Sequence, residues 1–146
     1  MSSPAASARI LLVEDDLPLA TTVAKHLRAR GHETRVAASA EEASELIRGG
    51  FRPTIVLLDI NLPGDSGWAF LRGGSLAAAG APPVFIVSAT AVLPSRLREF
   101  GCAGFLPKPF AMSTLVEVVD RCASGSADVS KPGAGVSEEK LEGSRD

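Results

Sequence analysis

The sequence predicts an α/β domain in which a five-stranded parallel sheet carries helices on both faces. Short apolar runs alternate five times with segments of helical period, as in strand–helix units wound into one parallel sheet. The strand candidates are almost continuously apolar, which suits strands covered on both faces. Acidic, hydroxyl and basic residues sit at their carboxyl ends, where such sheets bind ligands.

Ile10–Val13 is the first run, closed by Glu14, Asp15 and Asp16. Ala20, Val23, Ala24 and Leu27 then recur at i, i+3, i+4 and i+7, one face of an amphipathic helix that Gly31 ends. Asp16 reads as the N-cap of this helix rather than a ligand, because Pro18 falls where first turns accept proline. Thr34–Ala37 is the second strand. Ser39-Ala40-Glu41-Glu42 fits a capping box, in which Ser39 and Glu42 satisfy each other's backbone donors. The helix it opens presents Ala43, Leu46 and Ile47 and stops at Gly49-Gly50.

Thr54–Leu58 is the third strand, with Asp59 at its end. A turn of Pro63, Gly64, Asp65, Ser66 and Gly67 leads to a helix containing Trp68, Phe70 and Leu71. Gly73-Gly74 weakens that helix by about 1 kcal/mol per glycine relative to alanine. Pro83–Val87 is the fourth strand and ends at Ser88. A short helix near Ser95–Phe100 follows, then strand Gly104–Leu106. A last helix carries Leu115, Val118, Val119 and Cys122 on one face. Pro107 is tolerable only at a sheet edge, which fits the doubly wound, flavodoxin-like order 2-1-3-4-5 with the fifth strand outermost.

The chain has 146 residues and is 45% hydrophobic, enough for one domain and a tail. The domain is expected at 8–123, between a disordered start at 1–7 and a flexible tail or linker at 124–146. That tail is rich in Ser, Gly, Ala, Lys and Glu and has no periodic apolar face. The 15 Lys and Arg against 17 Asp and Glu leave no field to draw the chain to nucleic acid or a membrane surface. The start lacks a signal-peptide pattern, and no stretch approaches the ~18–20 apolar residues needed to span a bilayer. A soluble, cytoplasmic protein is expected. Cys102 and Cys122 read as reduced, buried thiols, and His26 and His32 as solvated side chains.

Glu14, Asp15 and Asp16 end the first strand, Asp59 the third, Ser88 the fourth and Lys108 the fifth. Carboxylates gathered in this way repel: a pair about 4 Å apart costs on the order of 4 kcal/mol at an effective dielectric of 20. A bound cation removes that penalty. Oxygen donors without His or Cys point to a hard ion, and Mg²⁺ suits few carboxylates, waters and phosphate oxygens, with Mn²⁺ as a substitute. No Gly-rich phosphate cradle is present. Phosphoryl chemistry on a carboxylate remains, with Asp59 as nucleophile, the metal and Lys108 neutralising phosphoryl oxygens, and Ser88 donating a hydrogen bond.

Val13-Glu14-Asp15-Asp16, Leu58-Asp59-Ile60-Asn61-Leu62-Pro63-Gly64, Val87-Ser88-Ala89 and Leu106-Pro107-Lys108-Pro109-Phe110 together resemble the four signatures of response-regulator receiver domains of two-component signalling (CheY-like). The resemblance covers about residues 8–123. It implies that Asp59 is the phosphoacceptor and that Mg²⁺ is held by Asp15, by Asp59, by the Asn61 backbone carbonyl and, through water, by Glu14. It implies a switch hydroxyl at Ser88, a phosphoryl-binding Lys108, a switch aromatic at Phe105 and a cis Lys108–Pro109 bond. Phe105 also reads as plain core, and Trp68 and Phe110 as packing residues. Asn61 and Thr90 flank the site at positions that tune dephosphorylation in the family.

The resemblance further implies a histidine kinase or phosphotransfer protein as donor and a downstream protein target, with the chain a monomer or weak homodimer. The signalling face combines the helix near Ser95–Phe100, the fifth strand and the last helix. The protein would then be a phosphoacceptor limited to its own phosphorylation and dephosphorylation, not a turnover enzyme. Two departures bear on that face: the Ser88–Lys108 segment is short, and Ala111 stands where a polar cap is common. They keep open a phosphorylation-independent interaction module of the same fold. A phosphatase of the haloacid-dehalogenase type needs Asp-x-Asp after the first strand, where this chain has Glu14 and Asp16.

Overall fold

The computed structural model describes residues 7–64 and 66–124. Of the disordered start expected at 1–7 and the tail expected at 124–146, residues 1–6 and 125–146 lie outside the described residues, as does Asp65. The elements are β1 (Arg9–Val13), α1 (Leu17–Ala29), β2 (Glu33–Ala37), α2 (Ala40–Arg48), β3 (Ile55–Asp59), α3 (Gly67–Arg72), α4 (Ser75–Ala78), β4 (Val84–Ser88), α5 (Pro94–Glu99), β5 (Gly104–Pro107) and α6 (Met112–Ala123). All neighbouring strands pair in parallel, in the order β2-β1-β3-β4-β5. The expected doubly wound sheet is therefore present, with Pro107 on the edge strand.

Side chains alternate across the pleat, so each strand feeds two cores. Leu11, Val13, Val56, Leu58, Val84, Ile86 and Phe105 pack beneath α2, α3, α4 and α5. Ile10, Leu12, Ile55, Leu57, Phe85, Val87 and Leu106 pack beneath α1 and α6. Covering both faces explains why β3 and β4 are buried along their whole length.

The helix boundaries follow from local chemistry. Asp16 caps α1, its Oδ1 accepting the Leu19 amide at 3.1 Å, with Pro18 in the first turn. Ser39 caps α2 by accepting the Glu42 amide at 3.1 Å, but Glu42 reaches back to the amide of Ala38 at 2.8 Å rather than to Ser39. The box therefore closes one residue earlier than expected. Gly73 ends α3, and Gly74, at φ 85°, turns the chain into the separate single-turn helix α4. Among the described residues there are thus six helices where five were expected. Ala111 precedes α6 with no side-chain cap.

The six-residue α5 is held from outside by aromatic packing. Trp68 stacks on Phe100 with centroids 4.9 Å apart, and the Arg96 guanidinium lies 4.8 Å from the Trp68 ring centroid. Phe110 packs against the α1–α6 core. Both aromatics are packing residues, as expected.

Two side-chain expectations need correction. His32 is buried, 3% exposed, rather than solvated. Its Nδ1 accepts the Ala8 amide at 3.0 Å, and its Nε2 meets Asp120 Oδ1 at 2.9 Å. Arg30 also pairs with Asp120, so one carboxylate on α6 ties down the turn before β2. Cys102 and Cys122 are free but only partly buried, and burial pushes both thiols up to about 11. Ser7 donates to the Gly31 carbonyl at 2.9 Å. His26 is exposed, as expected.

Burial works to raise the Asp120 carboxyl, but the His32 and Arg30 hydrogen bonds and charges outweigh it and hold the group below its ordinary value of 3.8. A depressed carboxylate contributes stability above its unfolded pKa and loses it as pH falls through the folded value. Asp120→Asn is therefore expected to cost about 2 kcal/mol near neutrality, with the difference from wild type shrinking below about pH 4. Urea unfolding of both proteins across that range checks this, and a pH-independent difference contradicts it.

Candidate functional site

The parallel register sets the geometry at the carboxyl ends of the strands. Val13 pairs with Leu58, which places Glu14 beside Asp59 at the tips of β1 and β3. Asp59 pairs with Val87, so Ser88 follows one step beyond, and Ser88 in turn pairs with Pro107. The Lys108 amide extends that ladder by donating to the Ser88 carbonyl at 2.8 Å. Four residues distant in sequence are thus delivered to one edge of the sheet by backbone pairing alone.

There the Lys108 ammonium lies 2.8 Å from Glu14 Oε1 and 3.1 Å from Asp59 Oδ2. Glu14 Oε2 accepts the Asp16 amide at 3.0 Å, and Asp59 Oδ1 accepts the Asn61 amide at 2.9 Å. Both carboxylates are buried, Glu14 at 3% exposure and Asp59 at 5%, whereas Asp15 is exposed. One oxygen from each of Glu14, Asp15 and Asp59 falls within 4.8 Å of the others. The acids and the lysine expected at the strand tips are therefore together.

Burial is the main reason the Glu14 carboxyl sits above its ordinary value, with the Asp59 charge adding to it. The hydrogen bonds from Lys108 and the Asp16 amide work against both. For Lys108, burial acts to lower the ammonium, but the hydrogen bonds and charges of Glu14 and Asp59 prevail and raise it. Lys108 therefore stays charged. Three carboxyl groups face one ammonium, a formal surplus of two negative charges. An oxygen-only donor set carrying that surplus fits a hard divalent cation.

Ser88 is 1% exposed, and its hydroxyl is bonded to Thr90 and the Asn61 side chain. Phe105, opposite Ile86 in the β4–β5 register, shares a sheet face with Ser88 and is buried in the core at 4% exposure. The ring therefore already occupies an inward position. The Lys108–Pro109 bond is cis. Asp16 is occupied as the α1 cap, which removes the second acid a dehalogenase-type arrangement would need.

Gly67 has a larger part than its place in a turn suggested. Its amide donates to the Ile60 carbonyl at 3.0 Å. A Cβ there would lie 2.8 Å from the Asp59 carbonyl oxygen and 2.9 Å from Ile60 Cδ1. The start of α3 therefore presses directly on the backbone that carries Asp59. Glycine in a Pro-Gly-Asp-Ser-Gly turn signalled a bend but not this close approach.

A family model described as the response regulator receiver domain matches residues 10–120. The transcriptional activator protein PfeR of Pseudomonas aeruginosa is 39% identical over 112 residues, covering 75% of this chain and 35% of that protein. The DNA-binding response regulator MtrA of Mycobacterium leprae is 36% identical over 112 residues, covering 74% of this chain and 48% of that protein. The chain thus spans less than half the length of either relative. Among solved structures, the non-phosphorylated HemR receiver domain of Leptospira biflexa superposes with a TM-score of 0.70 at 32% identity, covering 80% of this chain and 94% of that one. A CheY-like receiver domain protein of Methanospirillum hungatei gives a TM-score of 0.72 at 25% identity, covering 80% and 94%.

Gly67→Ala is expected to destabilise the fold by about 1–3 kcal/mol, since neither neighbouring backbone can retreat without moving β3. Urea unfolding checks this, and an unchanged midpoint contradicts the close approach.

Proposed function

Since this chain belongs to the response regulator receiver family, we propose that Asp59 accepts a phosphoryl group from a histidine kinase or phosphotransfer protein, with Mg²⁺ as the helper ion. One observation carries this reading. Asp59 is buried at the centre of the tip cluster, one oxygen held by the Asn61 amide and the other by Lys108, beside two further acids.

In the transfer an Asp59 carboxylate oxygen forms a bond to phosphorus as the bond from phosphorus to the donor breaks. The donor leaves with the electron pair and takes up a proton, as a phosphohistidine imidazole does. The protein's task is positioning and charge neutralisation. Asp15, Asp59 and the Asn61 carbonyl are proposed to hold Mg²⁺ directly, with Glu14 acting through water; Mn²⁺ suits the same donors. When bound, the ion supplies positive charge to the phosphoryl oxygens. Lys108, already an ammonium, moves from Asp59 to those oxygens, and Ser88 donates its hydroxyl to one of them. Ser88 and Phe105 then relay the change to the face formed by α5, β5 and α6, altering affinity for a downstream protein.

As a receiver, the chain confines its chemistry to its own aspartyl group instead of turning over a substrate. No helix among the described residues is long and apolar enough to cross a membrane. The proposed setting is the cytoplasm, where the kinase's phosphohistidine is available, with the chain a monomer or weak homodimer.

Incubation with acetyl phosphate and Mg²⁺ is expected to add one phosphoryl group, mapped to the Asp59 peptide by mass spectrometry and absent from Asp59→Asn. Wild type that gains no mass, with output unchanged in Asp59→Asn, would favour the phosphorylation-independent module instead.

A further inference from the structure

The hydrogen bonds around Ser88 constrain where its single proton points. Its Oγ receives the Thr90 backbone amide at 3.0 Å and the Asn61 Nδ2 amide at 3.4 Å, and lies 2.9 Å from Thr90 Oγ1. A serine hydroxyl has one proton to give and two lone pairs to receive with. Either hydroxyl could donate in the contact with Thr90 Oγ1, but the Thr90 amide occupies one Ser88 lone pair and the longer, shared Asn61 contact bears on the other, which favours Ser88 as the donor and Thr90 as the acceptor. The Asn61 amide also reaches Thr90 Oγ1, at 3.3 Å, closing a ring of three side chains.

We propose that Thr90 is a positioning residue that holds Ser88 away from the phosphoryl group by accepting the one proton Ser88 has to offer. The proposal rests on the phosphoacceptor reading above and adds a direction to it: the Thr90 hydroxyl opposes the phosphorylated state. Ser88 cannot donate to a phosphoryl oxygen and to Thr90 at once, so reaching the first breaks the second. Asn61 strengthens the hold, because its amide bridges both hydroxyls. Ser88 is nearly closed to solvent while Thr90 is exposed. Once the bond breaks, water can replace Ser88 at Thr90, but little water can reach Ser88 to compete with the phosphoryl oxygen.

Thr90→Val keeps the branched shape and removes only the hydroxyl. A neutral hydrogen bond of ordinary net strength corresponds to about a twofold to tenfold change in an equilibrium constant. Calorimetric titration with beryllofluoride, a phosphoryl mimic, at saturating Mg²⁺ is expected to show Thr90→Val binding about twofold to tenfold tighter than wild type. The gain should vanish in a Ser88→Ala background. Unchanged or weaker binding in Thr90→Val, or the same gain without Ser88, overturns the proposal.

Urea unfolding of metal-free wild type, Thr90→Val, Ser88→Ala and the double variant tests the bond itself, without any phosphoryl group. A coupling of about twofold to tenfold in the unfolding constant is expected, and strict additivity overturns the proposal. Should wild type bind no beryllofluoride while that coupling is present, the phosphoacceptor reading fails and takes the assigned competition with it. The proton count would then be correct but without that use.

Discussion

Everything at the functional end of this molecule depends on negative charge held together by backbone pairing. Glu14 and Asp59 are neighbours because β1 and β3 pair in a fixed register, and their mutual repulsion cannot separate them without breaking that pairing. Lys108 arrives by the same means, through a ladder that continues from β4 past Pro107. Its single charge answers part of the surplus. The remainder suits the site to a divalent ion and, on the proposed reading, to chemistry that brings phosphoryl oxygens under cationic control.

The rest of the fold makes that concentration of charge tolerable. Ten or more apolar side chains on each sheet face lock the strands in register, so the tips cannot splay. Gly67 lets α3 press on the backbone of Asp59 and Ile60, fixing Asp59 in place. At the opposite pole His32, Arg30 and Asp120 fasten α6 to the turn before β2. That pole belongs to stability and the strand-tip pole to chemistry, a separation α/β sheets of this kind allow.

Most of the architecture was legible because each strand is a short apolar run ending in a residue that has no place in a core. Glu14, Asp59, Ser88 and Lys108 mark the strand ends and, by the same token, the site. Pro107 disclosed the edge. The acid-and-lysine geometry followed once the strand order was known. His32 was not legible, because its partner Asp120 lies 88 residues away and no local pattern announces a buried imidazole. The split between α3 and α4 was only half visible: two glycines signalled weakness, not a left-handed turn at Gly74. The direction of the Ser88 proton needs the positions of three side chains and has no expression in one-dimensional spacing.

Charge surplus at the strand tips is a thermodynamic statement, so folding stability measures it most directly. Urea midpoints of wild type and Asp15→Asn, each with and without Mg²⁺, provide the test. The account predicts that Mg²⁺ stabilises wild type markedly and Asp15→Asn little, while the substitution alone stabilises the metal-free protein by relieving repulsion. A wild type indifferent to Mg²⁺, together with a destabilised Asp15→Asn, would contradict it.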